Sequence, residues 1–245
     1  MNLPPLFLCC ENMERIKTYI HGMDEILEGG IPHGHIVLLA GEPGTFKSSV
    51  AFNIIYNNVL HENHIACYIT LEQGRESLIQ QMSRMGMNLE EVGNNLSIVD
   101  LALIRKNLEK LGQQSWMQIF KTYASNLKEN IDYSILVIDS LPVLTMLAEF
   151  SNPRAELFHF FEWLREMKIT CILISEMKAG HEDYSLMGED FLSDGIIHLK
   201  MEKVGDVNIQ RRVRVVKMRS TNHSSDYFTL LFGKTGFTAT RVISE

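Results

Sequence analysis

An α/β fold with a mainly parallel twisted sheet flanked by helices, and with antiparallel strands at its C-terminal end, follows from three features of the sequence. Short apolar runs alternate with amphipathic stretches from residue 35 to residue 175. Such strand–helix alternation builds parallel sheets covered on both faces. Beyond residue 189 the apolar period becomes two, the mark of strands with one exposed face. A glycine-containing turn also follows the first apolar run directly and opens into a helical pattern, as a strand–turn–helix unit requires.

In chain order, residues 35–40 (His-Ile-Val-Leu-Leu-Ala) form the first buried-type strand. Lys47 to Leu60 reads as a helix burying Val50, Phe52, Ile54, Ile55 and Val59. Strands are expected at Ile65–Leu71 and Leu96–Val99, with a helix between them at Arg75–Met85. A helix at 113–129 carries Met117, Phe120, Ala124 and Leu127 at spacings of three and four. Ile135–Asp139 and Thr170–Ser175 are strands, separated by a helix at Arg154–Met167. Residues 177–189 are polar and glycine-containing, and a mobile loop is expected there. Four strands close the chain, at Gly195–Met201, Gln210–Met218, Asp226–Phe232 and Phe237–Val242. No repeat or linker divides it, so one domain at 15–245 is expected after an arm at 1–14.

With 245 residues, 45% of them hydrophobic, the chain is long enough to bury a full core without disulfides or a structural metal. Its 23 Lys and Arg against 30 Asp and Glu leave a net charge of −7. That balance disfavours a protein that coats a nucleic-acid backbone. Cys9, Cys10, Cys67 and Cys171 have no ligand spacing, so neither a zinc site nor a disulfide framework is expected, and a reducing cytoplasm is the expected compartment. The apolar opening Met1 to Cys10 lacks a basic region and contains two prolines, unlike a signal peptide. No apolar run reaches the length of a membrane span.

The strongest chemical signal is Gly41-Glu42-Pro43-Gly44-Thr45-Phe46-Lys47-Ser48, between a strand and a helix. Backbone N–H groups of such a turn, with the helix N-terminus, form a cradle for phosphates. Lys47 would reach the β and γ phosphates of a nucleotide, and the Ser48 hydroxyl would ligate Mg²⁺. Phe46 stands where this loop pattern has its second glycine. Its side chain must turn away from the nucleotide, and a positive φ there would be costly. Ile135-Leu136-Val137-Ile138-Asp139 ends an apolar strand on a carboxylate that would hold Mg²⁺ through water. Glu72, ending the strand that follows the P-loop helix, would orient and polarise an attacking water, because strand carboxy ends line the ligand crevice of open α/β sheets. Downstream, strand alternation puts Lys217 and Arg219 on one face with Met218 on the other. Two adjacent cations repel unless an anion lies between them, so either a phosphate or a solvated edge strand explains them.

Taken together, the glycine loop, Glu72, Asp139 and the run Lys217-Met218-Arg219-Ser220-Thr221-Asn222-His223 resemble the KaiC-type branch of RecA/RadA-fold ATPases. So do Gly22 to Pro32 ahead of the loop and Gly188 to Gly195 before the late strands, and the likeness spans residues 15–242. It implies a RecA-type core that binds ATP with Mg²⁺ at the subunit interfaces of a homo-oligomeric ring, usually a hexamer. Gly44, Thr45, Phe46, Lys47, Ser48 and Ser49 would hold the phosphates and the metal. Glu72 matches the first of two catalytic glutamates, the second being Gln73 here. Lys217, Met218, Arg219, Thr221 and His223 match residues that reach the neighbouring subunit's nucleotide. Arg84 and Met85 fall where the family contacts the base. Asp190 and Phe191 stand where the family's autokinase domain has hydroxyls, so no autophosphorylation is expected.

Three functions compete. A slow ATPase ring that regulates a protein partner is the first. A nucleotide-sensing module with little hydrolysis, comparable with the archaellum-associated relative, is favoured by Phe46 and Gln73. A recombinase paralogue that handles single-stranded DNA is opposed by the acidic balance and by Glu182, Asp183 and Glu189 in the 177–189 loop.

Overall fold

A computed structural model describes residues 13–101, 103, 115–177, 183–185 and 187–241. In chain order these form β1 (Arg15–Ile16), β2 (Ile20–His21), α1 (Met23–Ile26), β3 (Ile31–Pro32), β4 (Ile36–Gly41), α2 (Lys47–Glu62), β5 (Ala66–Thr70), α3 (Arg75–Arg84), α4 (Leu89–Val92) and β6 (Leu96–Asp100). There follow α5 (Trp116–Ile131), β7 (Ile135–Asp139), α6 (Leu141–Ala148), α7 (Pro153–Glu166), β8 (Thr170–Glu176), α8 (Glu189–Leu192), β9 (Gly195–Val204), β10 (Asn208–Met218), β11 (Phe228–Gly233) and β12 (Gly236–Arg241).

Among the described residues, ten strands form one sheet in the order β2-β12-β11-β10-β9-β4-β8-β7-β5-β6. From β9 to β6 every neighbouring pair is parallel. β4 is buried along its whole length, which explains its unbroken apolar run: a parallel strand is covered on both faces. Successive residues divide between the two layers. Val37 and Leu39 join α2 residues Val50, Phe52, Ile54 and Ile55 on one face. Ile36 and Leu38 join Phe120 of α5 and Phe160, Phe161 and Leu164 of α7 on the other. Each such large side chain taken fully from water contributes roughly 1.5–3 kcal/mol. β9 is the turning point, parallel to β4 and antiparallel to β10, and β10-β11-β12 continue as an antiparallel ribbon.

The expected α/β architecture with C-terminal antiparallel strands is therefore what the chain adopts. Differences lie at its margins. α6 escapes periodicity because Leu141-Pro142-Val143-Leu144-Thr145-Met146-Leu147-Ala148 is apolar nearly all round; its start is marked only by Pro142 in the first turn. β2 adds an edge strand parallel to β12, too short at two residues to carry a period. The strand expected at 65–71 ends at Thr70, leaving Glu72 in the turn beyond. In the 177–189 segment, Glu189 is buried and its Oε2 accepts from the Met187 N–H at 2.8 Å, so it is not presented at the surface where a nucleic-acid backbone would meet it. Residues 178–182 and 186, the arm residues 1–12 with Cys9 and Cys10, residues 113–114 and Val242 lie outside the described residues. Cys67 and Cys171 are free and buried, and burial pushes both thiols up. Among the described residues no helix is long and apolar enough to cross a membrane.

Candidate functional site

Four strands in the order β4-β8-β7-β5 bring Gly41, Glu176, Asp139 and the Glu72 turn to one edge of the sheet. Gly41 ends β4 against β9, where a Cβ would stand 2.4 Å from the Leu199 carbonyl oxygen; only glycine fits. The loop then closes on itself. Thr45 Oγ1 donates to the Glu42 carbonyl at 2.7 Å and Lys47 Nζ donates to the same oxygen at 2.9 Å. Burial depresses the Lys47 pKa against the opposing pull of Glu176, Asp139, Glu72 and Glu42. Burial without a full counter-charge gives the ammonium cause to accept a bound anion, while the carboxylates around it limit that gain.

Phe46 caps α2 with φ 75° and ψ 21°, the left-handed conformation a glycine would adopt freely. Its side chain packs toward the late strands. Its ring meets Phe237 edge-on at 5.8 Å and Phe232 at 6.3 Å, and the Arg211 guanidinium covers it at 3.8 Å. The backbone conformation costs about 1–3 kcal/mol. Aromatic pairs of about 0.5–1.5 kcal/mol each, with a cation–π contact of similar size, offset it. Phe46→Gly should therefore lower the melting temperature by about 3–6 °C, as a net loss of 1–2 kcal/mol does in a chain this long. Calorimetry checks this; an unchanged or raised transition would mean that the strain outweighs the packing.

A cavity of about 370 Å³ opens over the loop, lined by Gly44, Phe46, Lys47, Ser48, Ser49, Gln81 and Arg211. Arg211 Nε also donates to the Gly44 carbonyl at 3.0 Å. Neither Gln81 nor Arg211 is legible in the sequence: one lies mid-helix, the other on a late strand, and only folding brings them here. Arg84 and Met85 do not reach the cavity. Arg84 is exposed at the end of α3 and Met85 packs on the core, whereas Gln81, one helical turn earlier, lines the cavity.

On the β7 side, Asp139 Oδ2 accepts from the Tyr68 hydroxyl at 2.5 Å, and the Ser48 hydroxyl bonds both. Burial raises the Asp139 pKa; those two hydrogen bonds oppose the shift. The Asp139–Ser140 peptide is cis. Ser140 Oγ donates to Glu72 Oε1 at 2.5 Å, so a residue next to the strand carboxylate orients the expected base. Gln73 donates to Ser77 Oγ at 2.9 Å and to Gln81 Oε1 at 3.1 Å on α3. Tyr68, Ser140 and Glu176 join the site without any motif to announce them.

The late motif is at the other end of the sheet. Gly195 pairs with Val37 and Met218 with Gly195, whereas the P-loop leaves β4 at Gly41. Four strand residues span roughly 13 Å, so Lys217 and Arg219 lie far from their own chain's loop. Met218 is buried and points the other way, as alternation predicts. Lys217 Nζ donates to the Ser193 carbonyl at 2.6 Å and the Asp190 carbonyl at 3.1 Å; Arg219 pairs with Asp194 at 2.7 Å. The anion beside the two cations is thus supplied within the chain. Burial lowers the Lys217 pKa, with Arg219 adding to the shift. Thr221 Oγ1 accepts from Arg15 at 3.0 Å, and His223 Nδ1 lies 3.2 Å from the Ser224 carbonyl.

This strand–turn–helix cradle on a parallel sheet, with acids on adjacent strands, defines a RecA-type α/β protein of the P-loop class. The family model for the KaiC ATPase matches residues 16–239, and the chain belongs to that family. It is 31% identical over 228 residues to UPF0273 protein MJ1359 of Methanocaldococcus jannaschii, covering 86% of this chain and 90% of the relative. It is 26% identical to circadian clock protein KaiC2 of Synechocystis, over 94% of this chain but 40% of that protein. The chain thus spans about two fifths of the clock proteins it matches. The crystal structure of the KaiC-like protein PH0186 from Pyrococcus horikoshii superposes with a TM-score of 0.80 at 28% identity, covering 94% of this chain and all of that one.

Proposed function

We propose that this chain is a slow, Mg²⁺-dependent ATPase that works in the cytoplasm as a ring of identical subunits and regulates a protein partner. Residues 15–245 would be the ATPase domain and 1–14 an arm. The observation that carries the reading is the Lys47 ammonium, half-buried at the wall of the cavity of about 370 Å³ that opens over the glycine-containing loop and the start of α2. Gly44, Thr45, Phe46, Lys47, Ser48 and Ser49 would bind the phosphates through backbone N–H groups, with Lys47 on the β and γ oxygens. A serine hydroxyl beside a buried carboxylate is a hard-oxygen pair that suits Mg²⁺. Ser48 would ligate it and Asp139 would hold one of its waters. The ion would supply charge stabilisation at the transferring phosphoryl group.

The chain's own work is orientation. Ser140 holds Glu72, and Glu72 accepts the proton of the attacking water. Lys217, Met218, Arg219, Thr221 and His223 would meet the nucleotide of the neighbouring subunit, since their own loop is out of reach. Nucleic acid is not the expected partner. A sensor with little turnover is the second reading, favoured by Gln73, an amide where a second catalytic glutamate would stand, which bonds Ser77 and Gln81.

Lys47→Ala tests the proposal. It removes the charge partner of the phosphates and is expected to weaken binding of a fluorescent ATP analogue by 10²-fold or more, a loss of about 2.7 kcal/mol. Unchanged affinity would overturn the assignment.

A further inference from the structure

We propose that Glu176, at the end of β8, sets the preference of this site between ATP and ADP by opposing the charge of the γ-phosphate. The inference rests on the P-loop reading above and assigns a role to a carboxylate that no motif marks. Register puts Glu176 directly beside Gly41, where the loop leaves β4, and the Met177 N–H donates to the Gly41 carbonyl at 3.1 Å. Its strand lies between the strand that carries the P-loop and the strand that ends in Asp139. A group there faces the end of the phosphate chain.

The surroundings of its side chain agree. Glu176 is the foremost of the carboxylates acting on the Lys47 ammonium, ahead of Asp139, Glu72 and Glu42. The Glu72 carboxylate lies beside it as well, so like charges crowd this position. Burial and the Glu72 charge push its pKa up, in keeping with a crowded negative position. A diphosphate occupying the cradle needs Lys47 but places no charge near Glu176. A third phosphate does: it must draw Lys47 from Glu176 and sit beside the carboxylate itself. Glu176 therefore weakens the triphosphate complex more than the diphosphate complex, and makes release of the γ-phosphate more favourable.

Glu176→Gln keeps the shape of the side chain while removing the charge. Titration of the full chain with Mg²⁺ and a non-hydrolysable ATP analogue, and separately with ADP, is read by calorimetry. The expected result is a rise of about tenfold in affinity for the triphosphate, and of less than threefold for ADP, as one unit charge in partly solvated surroundings warrants. Equal gains for both ligands would overturn the inference, since Glu176 would then only compete for Lys47; so would no gain for either. If the unaltered protein binds neither nucleotide while its melting transition is intact, the P-loop reading itself fails. Glu176→Asp separates charge from geometry: it should keep the low triphosphate affinity, and behaviour like the glutamine variant would again count against the charge argument.

Discussion

Replacing Arg219 with alanine is expected to reduce ATP turnover by roughly 10³-fold or more while each subunit still binds nucleotide. The magnitude is that of an arginine supplied to a transferring phosphoryl group from outside its own site. Geometry within one chain argues for supply from outside. Arg219 emerges at the end of the sheet opposite the P-loop, beyond β10, and its guanidinium is half exposed. It rests on Asp194, which also bonds the Ile36 N–H and lies 3.7 Å from Arg165. A surface pair of this kind is worth about 0–1 kcal/mol, so its loss leaves the fold intact. Mixing tests whether the residue acts in trans. Lys47→Ala subunits have no working loop but keep Arg219; Arg219→Ala subunits have the reverse. Neither should turn over alone. Co-assembled, some interfaces join an intact loop to an intact Arg219, and phosphate release should return with the mixing ratio. Silence at every ratio, with mixed rings verified by native mass spectrometry, would show that Arg219 does not act across an interface.

Glu72→Gln should lower turnover by about 10²–10⁴-fold, the range of a lost general base. The amide keeps an oxygen for the Ser140 hydroxyl, so the position of the side chain is preserved; what it loses is the ability to take a proton from water. Nucleotide affinity should change little, because Glu72 lies beyond the cavity walls formed by the loop and Arg211. Phosphate release measured beside analogue binding separates the two effects. Turnover within twofold of the unaltered protein would shift the base role to another carboxylate at these strand ends, such as Glu176.

The parallel core was legible because parallel strands are buried on both faces and so write themselves as uninterrupted apolar runs: β4, β5, β7 and β8 all do. α6 was hidden for the same cause, since a helix apolar on every side has no period to detect. Short edge elements such as β2 depend on pairing partners far along the chain, and no local pattern marks them. Motif residues were legible where a local backbone shape dictates the residue type, as at Gly41, Gly44, Lys47 and Ser48.

By itself, then, the sequence determined the sheet core, the glycine-containing turn between β4 and α2, and the acids Asp139 and Glu72 at or just beyond strand ends. Each depends on neighbours in the chain: apolar runs, a tight turn, an acid at a strand end. Only the tertiary structure decided which distant side chains complete the site. Gln81 and Arg211 close the cavity from α3 and β10, Ser140 orients Glu72, and Glu176 faces Lys47 from β8. It also decided that Phe46 is tolerated at a positive φ, because Phe232, Phe237 and Arg211 enclose its ring from strands more than 160 residues away. Such contacts follow from strand order and register. Those are global properties of how the chain packs its apolar surface, and no local stretch of sequence encodes them.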